Sequence, residues 1–322
     1  MPNILFASNS VSHFPGSVIS ATTGMWDASR VPYAIETLTN SPAASPTLQD
    51  STTDETWVHF RHAADNWFIN TVDPIIEGVD ENGDRIFRLR YGPRTTDGYI
   101  LNVDIEGTTY TSGRYIPILE SGLRTYDIAY KRTSLTSIVE IYVNEFLLMR
   151  EERNITSQGP QLKNVWLGGG YGYTGQNQYW SEIIVADADT RNARLDLLRP
   201  VSGGHYGQWG GLLSALADDD PTTGMTTTLD NQKQSTVLSP YGGAENISNI
   251  VQVTTSVRGL NSPEQLAHFI RMSGVDYQYA TVYDVPESKE FQITDWNTNP
   301  ATSLPWSSAD LTNIEFGFES KP

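Results

Sequence analysis

Alternation with a period of two constrains this chain more than any other feature. Trp57-Val58-His59-Phe60-Arg61 and the stretches Tyr99–Ile105 and Gln178–Ala186 are dense in aromatic and β-branched residues. Successive side chains on an extended strand point to opposite faces, so such segments fit pleated, half-buried sheets. Similar runs recur at 4–7, 75–78, 85–89, 124–131, 137–147 and 165–168. Beyond residue 200, 246–256, 277–282, 290–293 and 311–319 read the same way. Turn residues separate them, the spacing of an antiparallel sandwich or barrel. No strands alternate with long helical patterns, which argues against a doubly wound α/β fold. Residues 265–271 fit either a helix capped at Ser262 or a strand, and strand is the reading adopted.

Punctuation residues divide the chain. Asn82-Gly83, between apolar runs at 75–78 and 85–89, predicts a hairpin with a type I′ turn, which needs positive φ at both central residues. A Ser/Thr/Pro/Ala-rich stretch, densest from Thr39 to Thr56, has no periodicity and reads as an extended loop, a candidate arm for a neighbouring subunit. Pro200 and Gly203-Gly204 follow the apolar Leu197-Leu198 and mark a boundary. With about 150 residues expected per domain, the 322 residues divide into 1–198, which includes the long Ser/Thr/Pro-rich segment, and 199–322. The expected fold class is all-β, two antiparallel β-sandwich domains in tandem.

Charge narrows the partners. Thirty-eight acidic against 21 basic residues give a net charge of −17, which repels phosphate backbones and argues against nucleic acid. The absence of cysteine excludes disulfides and thiolate metal sites. No run reaches the roughly 18 apolar residues of a membrane span, and the N-terminus shows no signal peptide.

Three segments carry a family likeness. Ile138-Val-Glu-Ile-Tyr-Val-Asn144, followed by Val165-Trp-Leu-Gly-Gly-Gly170, resembles the late strands of concanavalin A-like, or laminin-G-like, jelly rolls. Tyr179-Trp-Ser-Glu-Ile-Ile-Val-Ala-Asp-Ala-Asp-Thr-Arg191, leading to Leu198-Arg-Pro200, is similar to a segment of tailed-bacteriophage virion proteins. So is Trp296-Asn-Thr-Asn-Pro-Ala-Thr-Ser-Leu-Pro-Trp306, with Asp310-Leu311 and Phe316-Gly317 after it; Asn299 and Ser303 depart from the usual Asp and Gly. The resemblance implies jelly-roll domains in a virion structural protein, an accessory tail or capsid component. Such a protein is assembled in the host cytoplasm and acts through contacts with other virion proteins, as a homo-oligomer. The first alternative is a lectin-like tail fibre or spike binding host surface glycans, and the second a glycan-degrading enzyme.

The sharpest catalytic lead is Asn102-Val-Asp104-Ile-Glu106. Concanavalin A-like glucanases carry a nucleophilic Glu, a helper Asp and an acid Glu along one strand face. Here Asn102 stands in the nucleophile position, and an amide cannot attack an anomeric carbon. The ordinary reading is a polar strand face. Asp80, Asn82 and Asp84 imitate a calcium loop, but Gly83 falls fourth and Tyr91 twelfth where Gly at six and Glu at twelve are required. Asp218-Asp219-Asp220 reads as a solvated turn. His59 and His62 are three apart, which places them on opposite faces of a strand. No Gly-x-Ser-x-Gly elbow and no phosphate-binding Gly-x-x-x-x-Gly-Lys occurs. The expectation is no enzyme, no metal and no cofactor.

Tyr171, Tyr173, Tyr179 and Trp180 gather around a Gly-rich loop. Aromatic faces stack on sugar rings, and loops at sandwich ends bind ligands. The same residues would equally serve a subunit interface or cover the domain's own core, and packing or interface is the favoured expectation.

Overall fold

The structure, a computed structural model, describes every residue except 1, 21, 38–41, 65–73, 95, 97, 106, 115, 117–121, 156, 169–176, 221 and 244–245. The chain divides into two compact units, Pro2–Leu197 and Leu198–Pro322.

The larger unit contains β1 (Ile4–Ser8), β2 (Ser17–Ser20), β3 (Ala34–Thr37), β4 (Ala43–Ala44), β5 (Glu55–Ala64), β6 (Pro74–Val79) and β7 (Arg85–Arg94). It continues with β8 (Tyr99–Ile105), β9 (Thr108–Thr111), β10 (Arg124–Arg132), β11 (Thr136–Val143), β12 (Phe146–Asn154), β13 (Asn164–Leu167) and β14 (Gln178–Ala186). One sheet has the order β12-β11-β10-β5-β14-β3-β2, with β1 also on β14. The second has the order β4-β13-β6-β7-β8-β9. Every pairing is antiparallel.

The two sheets pack face to face because one side of each strand is apolar. Val58 and Phe60 of β5, Leu89 and Tyr91 of β7, and Leu101, Val103 and Ile105 of β8 all have near-zero exposure. Burying one such side chain contributes about 1.5–3 kcal/mol. Some of the polar atoms inside are partnered across the layers. Trp180 Nε1 donates to the Ile75 carbonyl (3.1 Å), and the Tyr91 and Tyr126 hydroxyls lie 3.1 Å apart. His62 is fully buried beside them, its Nε2 3.0 Å from Gln178 Oε1. Burial, against the Gln178 hydrogen bond and with the nearby Arg124 charge, lowers its pKa to about 3. Gly168 lies so close to β6 that a Cβ would run into the Pro74 carbonyl.

The outer face of the β5-containing sheet is roofed by the chain itself. His59 Nδ1 contacts Asp127 Oδ1 at 2.8 Å, and Thr190 Oγ1 donates to the same oxygen at 2.8 Å; His59 and Asp127 have zero exposure. Trp57 stacks on Tyr142 at 5.6 Å, and the Arg191 guanidinium covers both rings. Arg61 reaches both Asp27 (3.1 Å) and Glu182 (3.2 Å), and Arg30 reaches Asp196 (3.0 Å). These ion pairs fasten residues 25–31 and 189–197 over the sheet. The segment Tyr179–Arg191 is therefore a sheet strand plus its own roof. His59 and His62 do point to opposite faces, as the strand period requires.

Several local expectations change. The run 137–147 is two strands, β11 and β12, because Asn144 and Glu145 take positive φ (48° and 70°) and reverse the chain. At the 80–84 hairpin only Gly83 is left-handed (φ 80°), so the turn is not type I′. Asp80 Oδ1 instead accepts from the Asn82 and Asp84 amides, both at 2.9 Å, and builds a longer turn. The described part of the Ser/Thr/Pro-rich stretch packs on its own unit. Ser45, Leu48 and Gln49 amides donate to Val165, Lys163 and Leu5 carbonyls, and Leu48 is buried in its own unit.

The smaller unit contains β15 (Pro200–Gly207), β16 (Lys233–Leu238), β17 (Ile250–Ser256), β18 (Gln265–Met272), β19 (Val275–Asp284), β20 (Glu290–Trp296) and β21 (Glu315–Lys321). A five-stranded sheet, β15-β16-β21-β18-β19, faces the pair β17-β20. Residues 265–271 are strand, as adopted. Pro200 and Gly203-Gly204 lie within β15, and the strand read at 311–319 starts at Glu315 after a 3-10 turn, Ser308–Leu311. Ile270, Trp296, Trp306, Ile314 and Phe316 form its core. His268 bridges the layers through Thr254 (2.8 Å) and Thr294 (2.7 Å), and burial lowers its pKa to about 3. The fold is all-β, as the sequence reading expected.

Candidate binding face

The outer face of the β7-containing sheet is built differently. Val165 and Leu167 of β13 face inward at zero exposure, which turns Trp166 outward, half-buried. The ladder then places Trp166 opposite Glu77, Glu77 opposite Arg88, Arg88 opposite Asp104, and Asp104 opposite Thr109. Five strands thus contribute one side chain each to a single cross-strand row, the arrangement in which neighbours touch.

Each polar member is held. Glu77 accepts from Arg85 Nε through Oε2 and from Arg88 Nε through Oε1, both at 2.8 Å. Asp104 accepts from Arg90 at 3.1 and 3.2 Å, a two-point guanidinium contact, and from Thr109 Oγ1 at 2.6 Å. Partial burial pushes the Asp104 carboxyl upward, but the hydrogen bonds from Arg90 and Thr109 and the Arg90 charge outweigh it, so the group titrates below its ordinary value. Asn102 accepts from Thr111 Oγ1 at 2.9 Å in the neighbouring row. An aromatic plane beside fixed donors and acceptors can stack on a sugar ring and hydrogen-bond its hydroxyls.

This geometry settles several sequence candidates. Asn102 and Asp104 share one face, and Glu106 lies outside the described residues. Asp104, at the helper position, is ion-paired to Arg90 and titrates below its ordinary value. Tyr171 and Tyr173 lie outside the described residues. Tyr179 and Trp180 have zero exposure: Trp180 lies between the sheets and Tyr179 packs with Met25 and Trp26 on the opposite face, so neither presents its ring to solvent. The sequence singled out Asp104 but missed Glu77, Arg88 and Trp166. The available signals were the spacing Arg85-x-x-Arg88-x-Arg90 and the aromatic alternating with Val165 and Leu167. Among the described residues no group of three His, Asp or Glu side chains gathers as a metal site.

No protein-family model matches the chain, and no curated protein matches it. Among solved structures it is similar to a cellulose induced protein, Cip1, with 11% identity over 54% of this chain and 88% of that one, TM-score 0.36. It is also similar to the catalytic domain of a GH131 β-glucanase from Podospora anserina (14% identity, 58% and 84% coverage, TM-score 0.32). A third is the carbohydrate recognition domain of Emp47p (8% identity, 59% and 95% coverage, TM-score 0.37). These likenesses are too distant to transfer a ligand or a reaction to this chain.

Proposed function

We propose that this chain is a lectin-like module of a tailed-bacteriophage virion that recognises glycans and performs no reaction. The observation that carries the reading is the half-buried Trp166 at the head of the row Glu77–Arg88–Asp104–Thr109, an aromatic plane next to side chains already fixed in place. Side chains held by their own ion pairs lose little entropy on binding, which favours recognition. The catalytic alternative lacks support because Asn102 stands at the nucleophile position and Asp104 is committed to Arg90. The virion setting is supported by the segment Tyr179–Arg191.

The test is binding of the full chain to a bacterial surface-glycan array, with Trp166→Ala as the control. Binding that Trp166→Ala abolishes while the circular dichroism spectrum is unchanged supports the reading; an empty array, or turnover of a bound polysaccharide, contradicts it.

A second reading, particle contacts between proteins, is favoured by the β11–β12 hairpin tip, where Phe146 is 78% and Leu147 43% exposed. Exposed apolar clusters mark protein contacts. It predicts co-sedimentation with virions that Phe146→Ser weakens and Trp166→Ala leaves unchanged.

A further inference from the structure

The face that carries Trp166 also has a sign. Among the described residues of this face that share its ion pairs, three guanidinium groups, Arg85, Arg88 and Arg90, stand against two carboxylates, Glu77 and Asp104. This local excess of positive charge sits on a chain of net charge −17. Depth sharpens it. In all three pairs the cation is the more exposed member: 39% against 9% for Arg85 and Glu77, 16% against 9% for Arg88 and Glu77, and 17% against 12% for Arg90 and Asp104. The carboxylates lie beneath and orient the guanidinium groups, so a ligand approaching from solvent meets the cations first.

We infer that the ligand of this face is an anionic glycan, a polymer whose sugars or linkers carry carboxylate or phosphate groups. The inference rests on the reading of this face as the glycan site. A planar guanidinium presents paired donors that match the two oxygens of a carboxylate or phosphate, which a hydroxyl alone does not need. The acidity of the rest of the chain does not prevent approach, because charges beyond about 8 Å are screened at physiological salt. The contacts within the face are short-range and persist. Trp166, next in the row, offers its plane to the ring that carries the anion.

The experiment measures binding of the full chain to four immobilised polymers: polygalacturonate for the carboxylate, poly(glycerol phosphate) for the phosphate, and neutral dextran and galactan as uncharged partners. The expected result is binding to at least one acidic polymer and not to the neutral pair, and the two acidic arms show which anion is read. Raising the salt from about 50 to about 500 mM weakens it by about tenfold or more. Arg85→Gln and Arg88→Gln each reduce binding by at least about threefold; Arg85, the most exposed of the three, keeps the test valid if Arg88→Gln fails to fold. Binding to a neutral polymer that is lost in Trp166→Ala but kept in both arginine variants overturns the anionic ligand and leaves the glycan site standing. Binding to none of the four, and to nothing on the surface-glycan array, overturns both.

Discussion

The larger unit has two outer sheet faces, and they are finished in opposite ways. On the β5-containing sheet, residues 25–31 and 189–197 lie over the strands, and the polar groups beneath, His59 and Asp127, are sealed at zero exposure. On the β7-containing sheet, the row from Trp166 to Thr109 faces outward, with its charges in ion pairs that solvent still reaches. A sheet face that must stay polar can be covered or used. Here the covered face supports the fold, and the open one is the face proposed for contact.

The comparison predicts a large asymmetry in stability. Asp127→Ala strips His59 and Thr190 of a buried partner and is expected to cost about 3–5 kcal/mol in denaturant unfolding of the larger unit. Asp104→Ala on the open face is expected to cost about 1 kcal/mol, because Arg90 relaxes toward water. Equal losses would mean that the two faces do not differ.

Acid comes next in size. His62 is neutral and buried with a folded pKa of about 3, against an unfolded value of 6.5. The unfolded chain therefore binds the extra proton, and stability present above pH 6.5 falls as pH drops toward 3. Between pH 7 and pH 4 the loss from this residue is about 3 kcal/mol, and His62→Gln flattens that slope. His268 gives the smaller unit the same direction. A melting temperature that is flat from pH 7 to pH 4 contradicts both assignments.

Strand identity was legible wherever alternation was strong. Tyr99–Ile105 has the same bounds in sequence and structure because Tyr99, Leu101, Val103 and Ile105 form a continuous inward apolar set, and Gln178–Ala186 keeps its bounds across an irregularity at Glu182 (φ 53°). The run 137–147 overran the turn at Asn144-Glu145 because apolar residues continue on both sides, although the segment Ile138–Asn144 already read as a strand ending at an Asn turn. β15 was read as punctuation because its glycines carry no periodicity, although Gly204 lets the strand run close to Ser235 and Glu315. The binding face was mostly illegible. Its members come from β13, β6, β7, β8 and β9, and only strand register brings Trp166 beside Glu77, 89 positions away in the chain. Trp180 could be weighed but not placed from sequence: packing was the favoured expectation for it, and its zero exposure puts it in the core.

Smaller effects refine the contrast. Arg191→Ala removes a cation lying 4.7 Å from the Tyr142 ring and is expected to cost about 1 kcal/mol, since the guanidinium is partly solvated. It loosens the roof and leaves glycan binding unchanged. Trp166→Ala is expected to shift stability by less than about 1 kcal/mol, the ordinary range for a half-exposed site. The first variant changes stability alone and the second changes binding.

The most direct test of the contrast is the hydrogen-exchange footprint of the chain with a bound glycan. The account predicts added protection in peptides covering 77–90, 102–111 and 164–167, with none in 25–31 or 189–197. Protection confined to those two roofing segments would contradict it.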